Sequence, residues 1–491
     1  MSESSVPSLN HQPKPSTLVM KFGGTSVGTA EAMTQAVHIV IDAKRTWDRV
    51  VVTTSALSGV TNLLLDSANA AARGETQPYI QAAQELRQKH YSVIQPLIPN
   101  PTRQYQVKQD IDHLINDFIS LCQAIAILGE ATPRALDAVG SLGERMAVRI
   151  LAPALESKSV PAQFVESTLL VITDDHFQSA HPDFTETTHC TRQVLEPILA
   201  QNEVPVVTGF IGATPGGVTT TLGRGGSDYS AAILAAALPA DEVWIWTDVD
   251  GVMTADPRLV PNARTINELS YREVSELAYF GAKVLHPKTI IPVIDAGIGL
   301  RVCNTFNPGH PGTRLVSDKQ VTQNHGTIKA VTAVRGLQLI TVEGRGMLGV
   351  PGVAARTFGA VAATGTSVPL ITQASSEQTI CFAVPMEATA EILRSLQDTF
   401  ANEIARQDID RVWATEEVVI ITIVGEGMRS TPGISGRIFS ALGEKCVNVI
   451  AIAQGSSEVG MSLVVAVEDI LPAVQCLHDL TLKTTTTMTT G

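Results

Sequence analysis

From Thr17 to about Phe306 the chain alternates short runs rich in Val and Ile with longer stretches of helical spacing. TLVMKF, RVVVTTSA, PAQFVE, VPVVTGFIGA, EVWIWTDV and LRVCN are the apolar runs. Between them lie segments such as TAEAMTQAVHIVIDAK and SDYSAAILAAALPA, whose apolar residues recur at i, i+3 and i+4. A strand that is apolar throughout needs cover on both faces, and helices between successive strands supply it. The pattern therefore predicts an α/β fold around a mostly parallel central sheet flanked by helices. Residues 62–150 break the rhythm with mostly helical spacing, which predicts a helical insertion beside the sheet.

Beyond FNPGHPGTRLVSD, whose clustered Gly and Pro mark a boundary, the chain repeats itself. LQLITVEGRGML with VAARTFGAVAATGTSVPLITQASSEQTICFAV forms one unit, and VVIITIVGEGMR with ISGRIFSALGEKCVNVIAIAQGSSEVGMSLVVAV forms the other. Each reads strand, Gly-rich turn, helix, strand, hairpin, strand, helix, and aligning Gln373 with Gln454 sets the copies 81 positions apart. The first copy has a final strand in DRVWAT, whereas the second runs from its helix into threonines and is one strand short. IKAVTAVRG, ahead of the first copy, could supply it. The expected domains are 17–306, a linker at 307–325, and two strand-sharing repeats at 326–415 and 416–482. The polar ends, 1–16 and 483–491, read as disordered tails.

Composition narrows the partners. A formal charge of -13 without a basic cluster argues against nucleic acid or an anionic membrane surface, and 4% aromatics leaves little for stacking platforms. Six cysteines without a CxxC read as reduced thiols. No apolar run of membrane-spanning length is evident and no signal-peptide pattern opens the chain, so a cytoplasmic protein is expected.

Five motifs, most of them near predicted strand ends, could carry chemistry. In KFGGTSVG, Lys21 ends a strand and Gly23 and Gly24 let backbone N–H groups approach an anion, with a helix after Val27 adding its dipole. A plain strand–turn–helix would read the same way, and the lysine precedes the glycines, unlike a Walker loop. In TLGRGGSDYSAA, Arg224 among glycines suits recognition of a carboxylate or phosphate, while Ser227 and Asp228 could simply cap the next helix. In WTDVDGVMTADPR, Thr247, Asp248 and Asp250 end a strand, with Arg258 in a following turn. They could form only a loop, or hold lysines or a magnesium ion through water. Lys283 in GAKVLHP and Glu144 in SLGERM complete the inventory. Lysines, arginines, N–H nests and carboxylates gathered in one α/β domain suit phosphoryl transfer, where the protein mainly positions reactants and neutralises charge.

Taken together and in order, KFGGTSVG, SLGER, GFIGATPGGVTTTLGRGGSDYSA, WTDVDGVMTADPR and GAKVLHPKT resemble the aspartate kinases of the amino acid kinase family. The repeats resemble paired ACT domains of the ferredoxin-like βαββαβ type. GMLGVPGVAARTF, LITQASSE and VNVIAIAQGSSE look most like the kinase half of bifunctional aspartate kinase–homoserine dehydrogenases. The resemblance implies ATP and Mg2+ as cofactors and transfer of the γ-phosphate to the side-chain carboxylate of L-aspartate; kinase activity alone is expected. It implies that Lys21 neutralises the phosphoryl group with Gly23 and Gly24 offering N–H groups. Ser55, Thr61, Glu144, Arg224 and Ser227 would contact aspartate, with Asp228 in support. Thr247, Asp248, Met253, Arg258 and Lys283 would face the nucleotide, Met253 standing where some relatives carry a tyrosine. Gln373 and Gln454 would bind a feedback amino acid, threonine before lysine, in a homodimer or a multiple of it.

Overall fold

The computed structural model describes residues 14–279, 285, 287–316, 328–373, 377–454 and 459–483. The chain divides into two compact units, Met1–Gly251 with Leu285–Ser317, and Val252–Val284 with Asp318–Gly491.

The first unit opens with β1 (Thr17–Phe22), a helical turn α1 (Gly24–Val27), α2 (Ala30–Thr46) and β2 (Arg49–Thr54). Five helices follow: α3 (Val60–Ala72), α4 (Gln77–Leu97), α5 (Pro101–Leu128), α6 (Pro133–Gly140) and α7 (Leu142–Glu156). The chain continues through β3 (Ala162–Val165), α8 (Phe184–Ala200), β4 (Val204–Thr208), β5 (Ile211–Ala213), β6 (Thr219–Thr221), α9 (Gly226–Ala237) and β7 (Glu242–Thr247). After β8 (Glu268–Ser270) and α10 (Tyr271–Tyr279) of the second unit, it returns with α11 (Pro287–Asp295), β9 (Gly299–Asn304) and β10 (Thr313–Val316). Strands β3, β4, β2, β1, β7 and β9 lie in that order, all parallel, and β10 runs antiparallel beside β9. The predicted α/β architecture is the one observed. Every residue of β1 is buried, as a central strand covered on both faces requires.

Three local expectations change. The turn after Lys21 is itself helical, and α2 starts later, where Thr29 Oγ1 accepts the Ala32 N–H at 3.2 Å. The run VPVVTGFIGA is not one strand: Phe210 has φ 68°, which ends β4 before β5 begins. Helix α5 is long and apolar enough by composition to cross a membrane, although no such stretch was evident in the sequence. It is a core helix on one side: Val107, Ile111, Leu114, Ile115, Phe118, Cys122 and Ile125 are buried in the helical layer at heptad-like spacing.

The second unit carries β11 (Ala330–Glu343), α12 (Val353–Ala362), β12 (Leu370–Gln373), β13 (Thr379–Pro385), α13 (Thr389–Thr399), α14 (Ala401–Ala405) and β14 (Arg411–Val424). It ends with α15 (Ile434–Glu444), β15 (Ala451–Ala453), β16 (Gly460–Ala466) and α16 (Ile470–Lys483). One antiparallel sheet runs β12-β13-β11-β14-β16-β15. The first half of β11 pairs with the second half of β14, and the second half of β11 with the first half of β14. Each long strand therefore serves both repeats, which is the strand sharing the short second copy implied.

Residues 252–279, placed by the sequence within 17–306, pack with the repeats instead. Val331 N–H donates to Thr254 O at 2.8 Å, and Ala255 and Val260 join the core formed by Ile421, Ile438 and Leu477. Lys329 Nζ lies 2.8 Å from Glu273 Oε2, a carboxylate with a fully buried side chain. The excursion thus finds its apolar cover and its counter-charge in the second unit.

Candidate active site

The order of strands places the site. From β1 the chain proceeds to β2 on one side, whereas β7 lies on the other, so the sheet's connection reverses at the carboxyl end of β1. Ligands of open α/β sheets bind at such a crevice. Here a cavity of about 820 Å³ opens, lined by the first unit alone.

Lys21 stands at its floor. It is 9% exposed, and its Nζ lies 2.6 Å from Asp228 Oδ1. Helix α9 begins at Gly226, with Gly225 in the left-handed region as its N-cap and no side chain capping it. Ser227 and Asp228 are therefore inside the first turn rather than ahead of it, and both line the cavity. The absence of a Cβ at Gly226 is required: one would come within 2.6 Å of the Phe210 ring.

The glycine turn works differently from the expectation. The Gly23 N–H is spent on Trp246 O at 3.1 Å, so it is not a donor for an anion. Gly24 instead opens the helical turn, where first-turn N–H groups have no partner within a helix. Both glycines and Thr25 line the cavity.

Glu144 lies at the start of α7 and is 3% exposed. Its Oε1 accepts the Ala56 N–H at 3.1 Å, and its Oε2 is buried with no hydrogen-bond partner. Burial pushes its carboxyl up to about 8, against the pull of two backbone hydrogen bonds and of Lys21. A buried acceptor facing a cavity with one oxygen unused is a socket for a cationic donor. Ser55, on the loop after β2, and Thr61, in the first turn of α3, line the cavity with it, as does exposed Arg224 on the glycine-rich loop before α9. Arg224 pairs with no acid among the described residues.

The cavity thus gathers Lys21, Gly23, Gly24, Ser55, Thr61, Glu144, Arg224, Ser227, Asp228 and Thr247. Asp248 is exposed outside its wall, accepting a hydrogen bond from Thr247 Oγ1 at 3.2 Å. Asp250 is tied to Asn304 and Asn307 rather than to a lysine. Met253 and Arg258 belong to the second unit, Met253 beside Thr265 and Arg258 paired with Asp256 at 2.6 Å. Lys283 lies outside the described residues.

Among the wall residues that were missed, two shape the cavity. Asp137 is 1% exposed and accepts from Thr221 N–H at 2.9 Å, Thr221 Oγ1 at 2.6 Å and Gln178 N–H at 3.0 Å. It ties the strand before the arginine loop to the loop carrying Gln178. Phe210 lines the cavity through its unusual backbone. An acid within the helical insertion was the only sequence signal for Asp137, and Phe210 had none.

Comparison with known proteins agrees with this fold. The amino acid kinase family model matches residues 16–304, and an ACT domain model matches 340–400 and 421–480. The chain belongs to the amino acid kinase family. Within that family it is similar to aspartokinases. It is 34% identical over 466 residues to lysine-sensitive aspartokinase 3 of Escherichia coli, covering 94% of this chain and 98% of the relative. It is 36% identical over 488 residues to the chloroplastic bifunctional aspartokinase/homoserine dehydrogenase 1 of Arabidopsis thaliana. That match covers 98% of this chain and 53% of the relative, so the chain spans about half the length of its bifunctional relatives. The structure of Escherichia coli aspartokinase III in complex with aspartate and ADP superposes with a TM-score of 0.78 at 31% identity, covering 95% of this chain and 100% of the other.

Proposed function

We propose that this chain is an aspartate kinase, transferring the γ-phosphoryl group of ATP to the side-chain carboxylate of L-aspartate to give 4-phospho-L-aspartate. This would be the first step towards lysine, threonine and methionine. The observation that carries the reading is the unused Oε2 of buried Glu144 in one cavity with the Lys21–Asp228 pair. One end suits an ammonium group and the other a phosphoryl group. The similar aspartokinase III was solved with aspartate and ADP.

In this reading Glu144 receives the aspartate ammonium and Arg224 a carboxylate, with Ser55, Thr61 and Ser227 fixing orientation. Lys21, held by Asp228, stands where charge spreads over the transferring phosphoryl oxygens. The acceptor carboxylate is already ionised near neutral pH, so no general base is needed. Magnesium suits the donor set, because it takes oxygen ligands from phosphates and one or two carboxylates, and Asp228 offers such an oxygen. When bound, it would neutralise phosphate charge. Thr247 lines the cavity with Lys21, Gly23 and Gly24, and its nucleotide-side role, like those of Asp248, Met253, Arg258 and Lys283, rests on the family resemblance.

The paired ACT repeats carry feedback in this reading. Gln373 ends β12 and Gln454 follows β15, both exposed at equivalent places in the two copies. Threonine is the preferred effector and lysine the second. Exposed Ile371, Ile450 and Ile452 near the same edges favour a homodimer formed by these repeats. Six free cysteines suit a reducing, cytoplasmic setting.

The deciding experiment traps acyl phosphate as hydroxamate with Mg-ATP, comparing aspartate with glutamate, and then titrates threonine and lysine. Product with aspartate supports the assignment. Product with glutamate alone would transfer it to another carboxylate-directed amino acid kinase, and lysine inhibition alone would reverse the effector preference.

A further inference from the structure

The loop between β3 and α8 carries a cluster that the kinase reading does not use. Asp174, His176 and His181 present one ligand atom each, all within 4.8 Å of one another. His176 Nδ1 and His181 Nδ1 each lie 3.2 Å from the same oxygen, Asp174 Oδ2. The other oxygen, Oδ1, accepts the backbone N–H groups of His176 at 3.2 Å and His181 at 2.9 Å. The carboxylate is thus aimed by its own loop, with one oxygen anchored and the other turned to two imidazoles. The loop is closed by Asp174 N–H donating to His181 O at 3.0 Å.

The two nitrogen–oxygen distances are close to a known coordination spacing, and the three ligand atoms together lie within 4.8 Å. Zinc–nitrogen and zinc–oxygen bonds of about 2.0–2.1 Å at tetrahedral angles put neighbouring ligand atoms about 3.3 Å apart. Two imidazoles and one carboxylate make a borderline donor set, suited to Zn2+ and its neighbours rather than to Mg2+ or Ca2+. Among the described residues no other group of three His, Cys, Asp or Glu side chains converges in this way.

We propose that Asp174, His176 and His181 bind a divalent transition-metal cation of the Zn2+ class, outside the substrate cavity. The three ligands stand on the solvent side of the loop, which leaves the fourth position to water. The same loop reaches the cavity on its other side. Gln178 lines the cavity and donates its N–H to Asp137, and Ala180 N–H donates to Thr221 O at 2.9 Å. Gly223 lies against it, a Cβ there meeting Gln178 O at 2.9 Å. A bound cation would cross-link residues 174, 176 and 181 and so brace the segment that supports the arginine loop.

The test uses the full-length chain without nucleotide, because ATP sequesters zinc. Equilibrium dialysis against Zn2+, followed by metal analysis, compares the wild type with the His176→Ala/His181→Ala double variant. Both histidines are exposed, so the variant should fold, which circular dichroism checks. The expected result is one more equivalent of zinc in the wild type, at least tenfold tighter than any uptake by the variant. A zinc-dependent rise in melting temperature should appear in the wild type alone. Equal zinc uptake by the two proteins, or none by the wild type, would overturn the site. Stoichiometric uptake with identical melting temperatures would overturn the brace.

Discussion

Lys21 Nζ lies 2.6 Å from Asp228 Oδ1, an ion pair that joins the end of β1 to the first turn of α9. Both side chains are largely withdrawn from solvent while lining the cavity, so each holds the other where a phosphoryl group would arrive. Lys21→Ala should lower kcat by about 100-fold or more, the scale for losing one preorganised charge-stabilising donor. The hydroxamate assay measures it, and effector binding to the second unit should be retained.

Glu144 makes aspartate binding depend on pH. Its folded-state value of about 8 lies above the usual carboxylate range, so the empty protein holds the proton at pH 7. Pairing with an ammonium requires its release, and affinity for aspartate should strengthen as pH rises through about 8. Stability of the empty protein moves the other way. The raised value favours the fold below the unfolded-state carboxylate range, and that contribution is lost as pH climbs through about 8. Glu144→Gln should flatten both profiles and weaken aspartate binding, as read by calorimetry and by melting temperature against pH.

Asp137 should matter through the loops it joins. Asp137→Asn replaces one of two accepting oxygens by an NH2 donor, so Thr221 and Gln178, which aim three donors at the carboxylate, lose at least one charge-assisted hydrogen bond. A destabilisation of about 1–3 kcal/mol is expected from chemical denaturation. KM for aspartate should rise more than kcat falls, because the arginine loop loses its anchor.

Gly143 abuts the substrate loop. A Cβ there would lie 2.7 Å from Ala56 Cβ, a short side chain that cannot rotate away. Gly143→Ala should cost about 1–3 kcal/mol by overpacking. It should also raise KM for aspartate by displacing the Ala56 N–H from Glu144, which steady-state kinetics would show.

In the second unit, His478 is buried and its Nε2 lies 2.8 Å from Thr254 Oγ1. Burial lowers its pKa below the ordinary histidine range. The stabilisation is therefore present above about pH 6.5 and lost as pH falls through the lower folded-state value. Thermal scans of the wild type should show this acid loss, and His478→Gln should reduce its slope.

Periodicity and glycine placement were sufficient to read the parallel sheet, the helical layer and the strand-sharing repeats, because local spacing dictates which residues must be covered. The motifs also picked out eight residues that the fold brings into one cavity, and the family resemblance added Ser55 and Thr61. What local spacing cannot contain is the partner from a distant segment. The Gly23 N–H is taken by Trp246, Asp250 by two asparagines, and residues 252–279 by the second unit's core. Asp137 and Phe210 join the wall only because a buried carboxylate bridges two loops and a left-handed backbone turns the chain. The turn KFGGTSVG shows the division plainly. Its lysine, strand and glycines were determined by sequence, whereas the carboxylate that orients Lys21 was decided by tertiary packing of α9 against β1, since an ion pair needs both charges in one place.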